Sequence, residues 1–321
     1  MEISHDRILV TGGAGFIGSH TTDALLNAGV ETWVLDKFST GSLRNLSRWR
    51  NDKRLHIVRG EVANFRLLVK LAKKVDGITH LAAQVSPYVS MTNPELTNVV
   101  NVNGTLNVLR AGQQEDVQRI VYASSSSVYG QLQRTRMREN EPTTPITPYG
   151  VSKLAGEKYC QAFSRAFDLP TISLRYFNVF GIRQSSNPYS GVIAIFAKAL
   201  TDGRSPIIYG DGRQTRDFTH VTDVVNANLL ALQSHKGIGE TFNIGTGRPT
   251  SINQLYSLIA RISARHDIHP IHKTKRPGDI TASCADISMA RTRLKFKPAI
   301  KLENGLAELL NWLESRAKGK D

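Results

Sequence analysis

Residues 10–20 read VTGGAGFIGSH, and in this run Gly12, Gly15 and Gly18 stand between a predicted strand and a predicted helix. Residues without a Cβ let the backbone turn tightly and approach a pyrophosphate, while the free N–H groups at a helix N-terminus attract anions. The stretch therefore predicts the strand, loop and helix that begin a dinucleotide-binding fold.

An acid follows at the position that such a fold needs. Asp36 ends the next predicted strand, 18 residues after Gly18, where a carboxylate accepts hydrogen bonds from the hydroxyls of the adenosine ribose. Because Asp36 would repel a 2′-phosphate, the sequence favours NAD over NADP, although the neighbouring Lys37 acts against that preference. The alternative is a glycine-rich turn followed by a helix-capping acid. That alternative does not explain why the loop, the helix and the strand-terminal acid occur in this order.

Apolar runs alternate with helical patterns through the first half of the chain. Strands are predicted at 7–11, 30–36, 54–60, 77–83 and 119–125, with further strand-like runs at 171–181 and 205–210, and helices at 16–29, 64–74 and 96–114. Strands that alternate with helices predict an α/β fold with a doubly wound parallel sheet of the Rossmann type.

The composition is typical of a soluble globular protein, with 40% hydrophobic and 21% charged residues among 321. Two cysteines, Cys160 and Cys284, are too few for a disulfide framework, and no signal peptide or membrane span is recognised, so we expect a cytoplasmic protein. The net charge of +14 favours anionic ligands. Because the basic residues look dispersed, we expect a solvated surface rather than a nucleic-acid partner.

A second motif lies in residues 147–163, TPYGVSKLAGEKYCQAF, where Thr147 is a predicted N-cap and Pro148 the first helical residue. Tyr149 and Lys153 then share one helix face. A free phenol has a pKa of ~10, and lowering it by about three units needs roughly 4 kcal/mol. One cation at about 4 Å supplies that much in a partly screened site. Lys153, helped by a positively charged nicotinamide, is therefore expected to make Tyr149 a proton acceptor near neutral pH.

Together these motifs resemble the extended short-chain dehydrogenase/reductase family, and more narrowly its UDP-galactose and UDP-N-acetylglucosamine 4-epimerases. The resemblance covers nearly all of the chain. The family motifs appear here in order as TGGAGFIG (11–18), SSSVYG (125–130), YGVSK (149–153), LRYFNVFG (174–181), YGDGRQTRDF (209–218) and RPGD (276–279).

The resemblance implies a domain division and a partner. Residues 1–180 would form the NAD-binding Rossmann domain, to which segments around 210–245 return, and 181–321 would form mainly the smaller α/β domain for the UDP-sugar. Two subunits would pair through a four-helix bundle made from 95–114 and 149–167 of each. No membrane contact is expected.

The resemblance also implies the chemistry. Ser125, Tyr149 and Lys153 would be catalytic, with Tyr149 taking the proton of the sugar 4-hydroxyl and Ser125 sharing it. Hydride would pass from C4 to NAD. The 4-keto sugar would then rotate about its diphosphate link, and hydride would return to its other face.

The binding residues carry over from the same motifs. Those implied for NAD are Gly12, Gly15, Phe16, Ile17, Gly18, Asp36, Lys37, Ser39, Thr40, Gly41, Glu61, Val62, Leu81, Ala82, Ala83, Gln84, Asn101, Ser124, Tyr149, Lys153 and Tyr176. Those implied for the UDP-sugar are Ser125, Ser126, Tyr149, Asn178, Val192, Ile207, Tyr209, Arg216, Arg276, Asp279 and Ser283. No metal site is predicted. The family usually has Asp where this chain has Glu61, which puts the adenine contact there in doubt.

The serine run distinguishes this chain from other members of the family. Related 4,6-dehydratases and decarboxylases carry carboxylates where Ser126 and Ser127 stand, because elimination needs an acid and a base. Reversible inversion at C4 of a UDP-hexose remains, and the small Ser283 predicts that N-acetylated sugars fit as well as glucose and galactose. A UDP-glucuronate 4-epimerase, or another enzyme of the family that modifies a nucleotide sugar, is the alternative. A non-catalytic relative that binds NAD or RNA is the remote one.

Overall fold

The computed structural model describes residues 5–131, 136–185, 191–275, 280–317 and 319. The strands are β1 (Arg7–Thr11), β2 (Glu31–Asp36), β3 (Leu55–Arg59), β4 (Gly77–His80), β5 (Arg119–Ser125), β6 (Thr171–Tyr176), β7 (Val179–Phe180), β8 (Ile207–Tyr209), β9 (Thr215–Asp217), β10 (Thr219–His220), β11 (Glu240–Ile244), β12 (Pro249–Ser251), β13 (Ile271–Lys273) and β14 (Ala282–Ser283). The α-helices are α1 (Phe16–Asn27), α2 (Phe65–Ala72), α3 (Pro87–Thr92), α4 (Pro94–Thr97), α5 (Gly104–Gln114), α6 (Pro148–Ala166), α7 (Val192–Thr201), α8 (Val221–Gln233), α9 (Ile252–Ile262) and α10 (Leu302–Ala317).

Seven parallel strands form the central sheet in the order β11-β6-β5-β4-β1-β2-β3. This confirms the predicted doubly wound α/β fold. The strand order reverses between β1 and β4, and ligands bind at the carboxyl ends of strands beside such a reversal. Three small sheets, β7 with β10, β12-β9-β14, and β8 with β13, accompany the central one.

Alternate residues of the central strands pack into different cores. Ile8 and Val10 point to one face, where α1 and α8 cover them, while Leu9 points to the other face, which α2 and α5 cover. Burial of each such side chain stabilises the fold by roughly 1.5–3 kcal/mol. Coverage on both faces explains why these strands read as continuous apolar runs. A third core joins α7, α9 and α10 in the second half of the chain.

Two predicted elements differ from the observed ones. The predicted helix 96–114 is interrupted by a π-helical segment, Asn98–Asn103, whose buried Asn101 bonds the backbone of Gln84 and the hydroxyl of Ser152. The run 171–181 divides into β6 and β7 because the chain leaves the sheet at Phe177, whose N–H donates to Ile244. β11, which the sequence analysis did not predict, lies beside β6 and comes from the second half of the chain. The division into two domains stays a prediction.

The sequence analysis expected the basic residues to be dispersed, but many of them are concentrated in one part of the chain. Residues 37–74 hold eleven lysines and arginines against two acids, a formal +9 of the total +14. This part of the chain forms the turn Leu43–Trp49, β3, α2 and the loops between them. Because β3 is the edge strand, these charges gather along one edge of the sheet, where like charges oppose edge-to-edge pairing. No helix in the described part of the chain is both long and apolar enough to cross a membrane.

Candidate active site

A cleft of about 2000 Å³ opens along the carboxyl ends of the central strands. Most of the predicted site residues line it together: Gly12, Gly15, Phe16, Ile17, Gly18, Asp36, Lys37, Ser39, Thr40, Glu61, Val62, Leu81, Ala82, Ala83, Gln84, Ser124, Ser125, Ser126, Tyr149, Lys153, Tyr176, Asn178 and Arg216. Residues predicted from both halves of the sequence therefore meet in one cleft.

The glycine loop is tightly packed against its neighbours. Gly12 has a φ of +70°, and a Cβ there would lie 2.9 Å from the backbone nitrogen of Ala82. A Cβ on Gly18 would overlap the carbonyl oxygen of Gly12. No side chain caps the N-terminus of α1, so its first amides are open to an anion. These features fit the pyrophosphate of a dinucleotide.

Asp36 is held by the backbone at the end of β2. Its Oδ2 accepts from the N–H of Ala14 at 2.9 Å, and its Oδ1 accepts from Phe38 at 2.7 Å. Each carboxylate oxygen has a second acceptor site, so the side chain still fits a ribose hydroxyl. Gly41 packs against this carboxylate, where a Cβ would lie 2.8 Å from Oδ2. The adjacent Lys37 forms an ion pair with Glu61, with 2.9 Å between Nζ and Oε1.

Tyr149 and Ser125 meet where α6 begins and β5 ends. Thr147 caps α6 by accepting the N–H of Gly150 at 3.1 Å, as predicted. Ser125 caps the turn Ser126–Tyr129 by accepting the N–H of Ser127 at 3.2 Å. The Ser125 hydroxyl donates to that of Ser127 at 3.1 Å. Burial raises the pKa of Tyr149, and the nearby hydroxyl of Ser125 opposes that rise.

Lys153 is buried, and its ammonium contacts the end of β5. Its Nζ donates to the carbonyl of Ala123 at 2.8 Å and stands 5.1 Å from the ring centroid of Tyr122. Burial lowers the pKa of Lys153 to about 8, while the nearby carboxylate of Glu157 opposes that fall. Burial within the chain therefore raises the pKa of Tyr149, and the lowering expected from Lys153 together with a charged nicotinamide stays a prediction.

A buried charged network supports this end of the cleft. Ser124 donates to Oε1 of Glu157 at 2.5 Å, and Arg175 donates to both carboxylate oxygens at 2.9 and 2.8 Å. The sequence analysis did not single out Glu157 or Arg175. The available signals were an acid one turn after Lys153 and a lone arginine inside the apolar strand TISLRY.

His80 is a third residue that the sequence analysis did not single out. It ends β4 and lies between the hydroxyls of Thr11, at 2.7 Å, and Thr105, at 3.0 Å. Burial lowers its pKa to about 3. A neutral imidazole thus ties β1 and α5 together beneath the cleft.

The remaining predicted residues are not in the lining of the cleft or lie outside the described chain. Arg216 donates to the carbonyl of Ile280 at 2.7 Å, and Ser283 of β14 pairs with Arg216 of β9. Ser283 is buried. Asn101 is buried behind Gln84, which it bonds, while Val192 begins α7 and Ile207 and Tyr209 bound β8. Arg276 and Asp279 lie outside the described residues.

Known proteins resemble this chain over nearly its whole length. The model of the NAD dependent epimerase/dehydratase family matches residues 8–245. A putative UDP-glucose 4-epimerase of Methanocaldococcus jannaschii is 38% identical over 96% of this chain and 98% of its own.

Two solved structures are similar. One is the UDP-glucose 4-epimerase of Thermotoga maritima with UDP-glucose, with a TM-score of 0.92 and 35% identity over 97% of this chain and 99% of that one. The other is a UDP-N-acetylglucosamine 4-epimerase of Methanobrevibacter ruminantium in complex with UDP-N-acetylmuramic acid, with a TM-score of 0.93 and 36% identity over 98% and 100%.

Proposed function

The chain belongs to the family of NAD-dependent epimerases and dehydratases and is therefore an enzyme that uses NAD, and we propose that it reversibly inverts C4 of a UDP-hexose. One observation carries the proposal: Ser125, Tyr149 and the buried Lys153 line the same part of the cleft that also contains the glycine loop. The similar enzymes act on UDP-glucose and UDP-N-acetylglucosamine, by their names, and their likeness supports the same class of substrate here.

Different residues would bind different parts of NAD. The amides of the glycine loop would hold the pyrophosphate, Asp36 the adenosine ribose, and Lys153 the nicotinamide ribose. When bound, NAD supplies the chemistry of taking a hydride from C4 and giving it back.

Proton transfer belongs to Tyr149. Its phenolate oxygen accepts the proton of the sugar 4-hydroxyl and becomes a neutral phenol, and Ser125 stabilises the phenolate before the transfer by a hydrogen bond. A phenolate is the better acceptor, so the raised pKa of Tyr149 has to be offset by nearby positive charge. Lys153, buried within the same cleft, and a positively charged nicotinamide are the two sources of that charge. The same proton then returns to the sugar, which is neither hydrated nor dehydrated.

The serines after Ser125 favour epimerisation over elimination. Ser126 and Ser127 both line the cleft, and hydroxyls cannot exchange protons at neutral pH as carboxylates do. Dehydration or decarboxylation of a 4-keto sugar would need such a carboxylate. We propose that the substrates include UDP-glucose and UDP-galactose and also their N-acetylated counterparts, since Ser283 is small.

We further propose that two copies of the chain pair through α4, α5, the segment between them, and α6. Leu96, Val99 and Val151 are exposed on these neighbouring elements, with 39%, 44% and 53% of their surface accessible. Apolar side chains at such positions are typical of a subunit interface. We assign the enzyme to the cytoplasm, since both cysteines are free thiols, and to nucleotide-sugar metabolism, including that of galactose.

Incubation of the purified protein with UDP-glucose, UDP-galactose, UDP-GlcNAc, UDP-GalNAc and UDP-glucuronate, followed by chromatography of the products, tests the reaction and its substrate together. We expect conversion within the first two pairs, no net consumption of NAD, and no 4-keto-6-deoxy or decarboxylated product. Exclusive conversion of UDP-glucuronate to its C4 epimer would replace the proposed substrate, and elimination products would overturn the reaction.

A further inference from the structure

An ion pair closes the adenosine end of the cleft. Lys37 follows β2 and Glu61 follows β3, two strands that pair in parallel with Asp36 opposite Arg59. The Nζ of Lys37 lies 2.9 Å from Oε1 of Glu61, and about half of each side chain is exposed. Both residues line the cleft, so the pair connects the ends of two neighbouring strands across the place where the adenosine ribose is expected.

The cations at this end would otherwise favour a phosphate. Lys37 and Arg44 both line the cleft here. Of these two cations, only Lys37 forms an ion pair with a carboxylate of the described residues. Asp36, the other acid, is buried and already accepts two backbone N–H groups. Without Glu61, both cations would be available to the 2′-phosphate of NADP, which carries up to two negative charges.

We propose that Glu61 sets the preference of this enzyme for NAD over NADP by holding and neutralising Lys37. The extra methylene of glutamate, compared with aspartate, provides the reach to the neighbouring strand. The departure from the usual aspartate is thus a compensation for the lysine that follows Asp36. The inference rests on the use of NAD and not on the identity of the sugar.

Competition between the two dinucleotides measures this role directly. The purified holoenzyme is exchanged against an equimolar mixture of NAD⁺ and NADP⁺ and desalted, and the bound nucleotides are quantified by chromatography after denaturation. Glu61→Gln keeps the shape of the side chain and removes its charge. We expect its ratio of bound NADP to bound NAD to rise about tenfold, the effect of one charge-assisted hydrogen bond at a half-exposed site.

Two further variants make the result specific. Lys37→Gln combined with Glu61→Gln should return the ratio to that of the wild type, because the freed ammonium causes the rise. Glu303→Gln is the matched control, since it breaks the Arg261–Glu303 pair, which has a similar distance of 2.8 Å and side-chain exposures of 60% and 57%. This control should leave the ratio unchanged.

Three outcomes overturn the proposal. One is an unchanged ratio in Glu61→Gln, and another is a rise that persists in the double variant. The third is a loss of bound NAD without a gain of NADP, which would mean that Glu61 contacts the adenine instead. Because the readout is bound nucleotide, none of these outcomes depends on whether the protein epimerises a UDP-hexose.

Discussion

Arg175 donates to both carboxylate oxygens of Glu157, at 2.9 and 2.8 Å, and both side chains are buried. The pair connects β6 to α6, the helix that carries Tyr149 and Lys153. Ser124, which immediately precedes Ser125, donates to the same carboxylate. The register between the catalytic helix and the catalytic strand is therefore held by one buried acid.

Glu157→Gln should lower the free energy of unfolding by about 3–5 kcal/mol, because it leaves the guanidinium of Arg175 buried without its counter-charge. Urea denaturation measures this loss. Glu303→Gln, which breaks an exposed pair, should cost no more than about 0.5 kcal/mol. A wild-type midpoint for Glu157→Gln would show that the buried pair contributes little to the fold.

His80 should make the protein less stable in mild acid. Its pKa is about 3 in the folded chain and ~6.5 in the unfolded chain. The unfolded state thus binds the extra proton first, and stability falls as the pH drops below about 6.5. At pH 5 this one residue accounts for about 2 kcal/mol. His80→Gln should reduce the difference in unfolding free energy between pH 7 and pH 5 by that amount, and an unchanged difference would contradict the assignment.

Tyr149→Phe should lower the rate of UDP-galactose conversion by at least about 10²–10⁴-fold, the range for losing a general base. Bound NAD should remain, measured by absorbance after denaturation. Ser125→Ala removes only a hydrogen bond to the phenol and should cost about 10–100-fold. Near-normal turnover by Tyr149→Phe would exclude this residue as the proton acceptor.

The sequence predicted the parts of the site that depend on local backbone geometry. The positions of Gly12, Gly18 and Asp36 were predictable because strand, loop and helix each have a local signature. Thr147 and Pro148 likewise identified the start of α6. The alternation of strands and helices predicted a parallel sheet whose carboxyl edge brings these motifs together, and the family resemblance supplied the other site residues.

The contacts that depend on distant parts of the chain could not be predicted. Lys153 is directed at a carbonyl of β5, so its effect on Tyr149 could not be deduced from their spacing on one helix. The pairing of Glu157 with Arg175 joins residues 18 apart in sequence on two different elements. β11 was missed because a five-residue strand after a long helix has no pattern of its own.

Gly18→Ala should abolish retention of NAD, because the added Cβ would overlap the carbonyl oxygen of Gly12 and force the loop open. Gly191→Ala is the control. Its backbone φ is −60°, and a Cβ there would meet only the side-chain nitrogen of Gln184 at 3.4 Å. We expect purified Gly18→Ala to release no NAD on denaturation and Gly191→Ala to release a normal amount. Full retention of NAD by Gly18→Ala would mean that the loop is looser than its packing indicates.

Ser283→Tyr should remove activity on UDP-GlcNAc and UDP-GalNAc while leaving activity on UDP-glucose and UDP-galactose. Ser283 is buried and pairs with Arg216, which lines the cleft. A phenol at this position would take space from the sugar pocket. A sugar with an acetamido group needs more of that space than an unmodified sugar does. Ser283→Ala adds no volume and should keep all four activities. Because each variant serves as its own folding control through the unmodified sugars, equal loss of all four activities in Ser283→Tyr would refute a role in sugar selection.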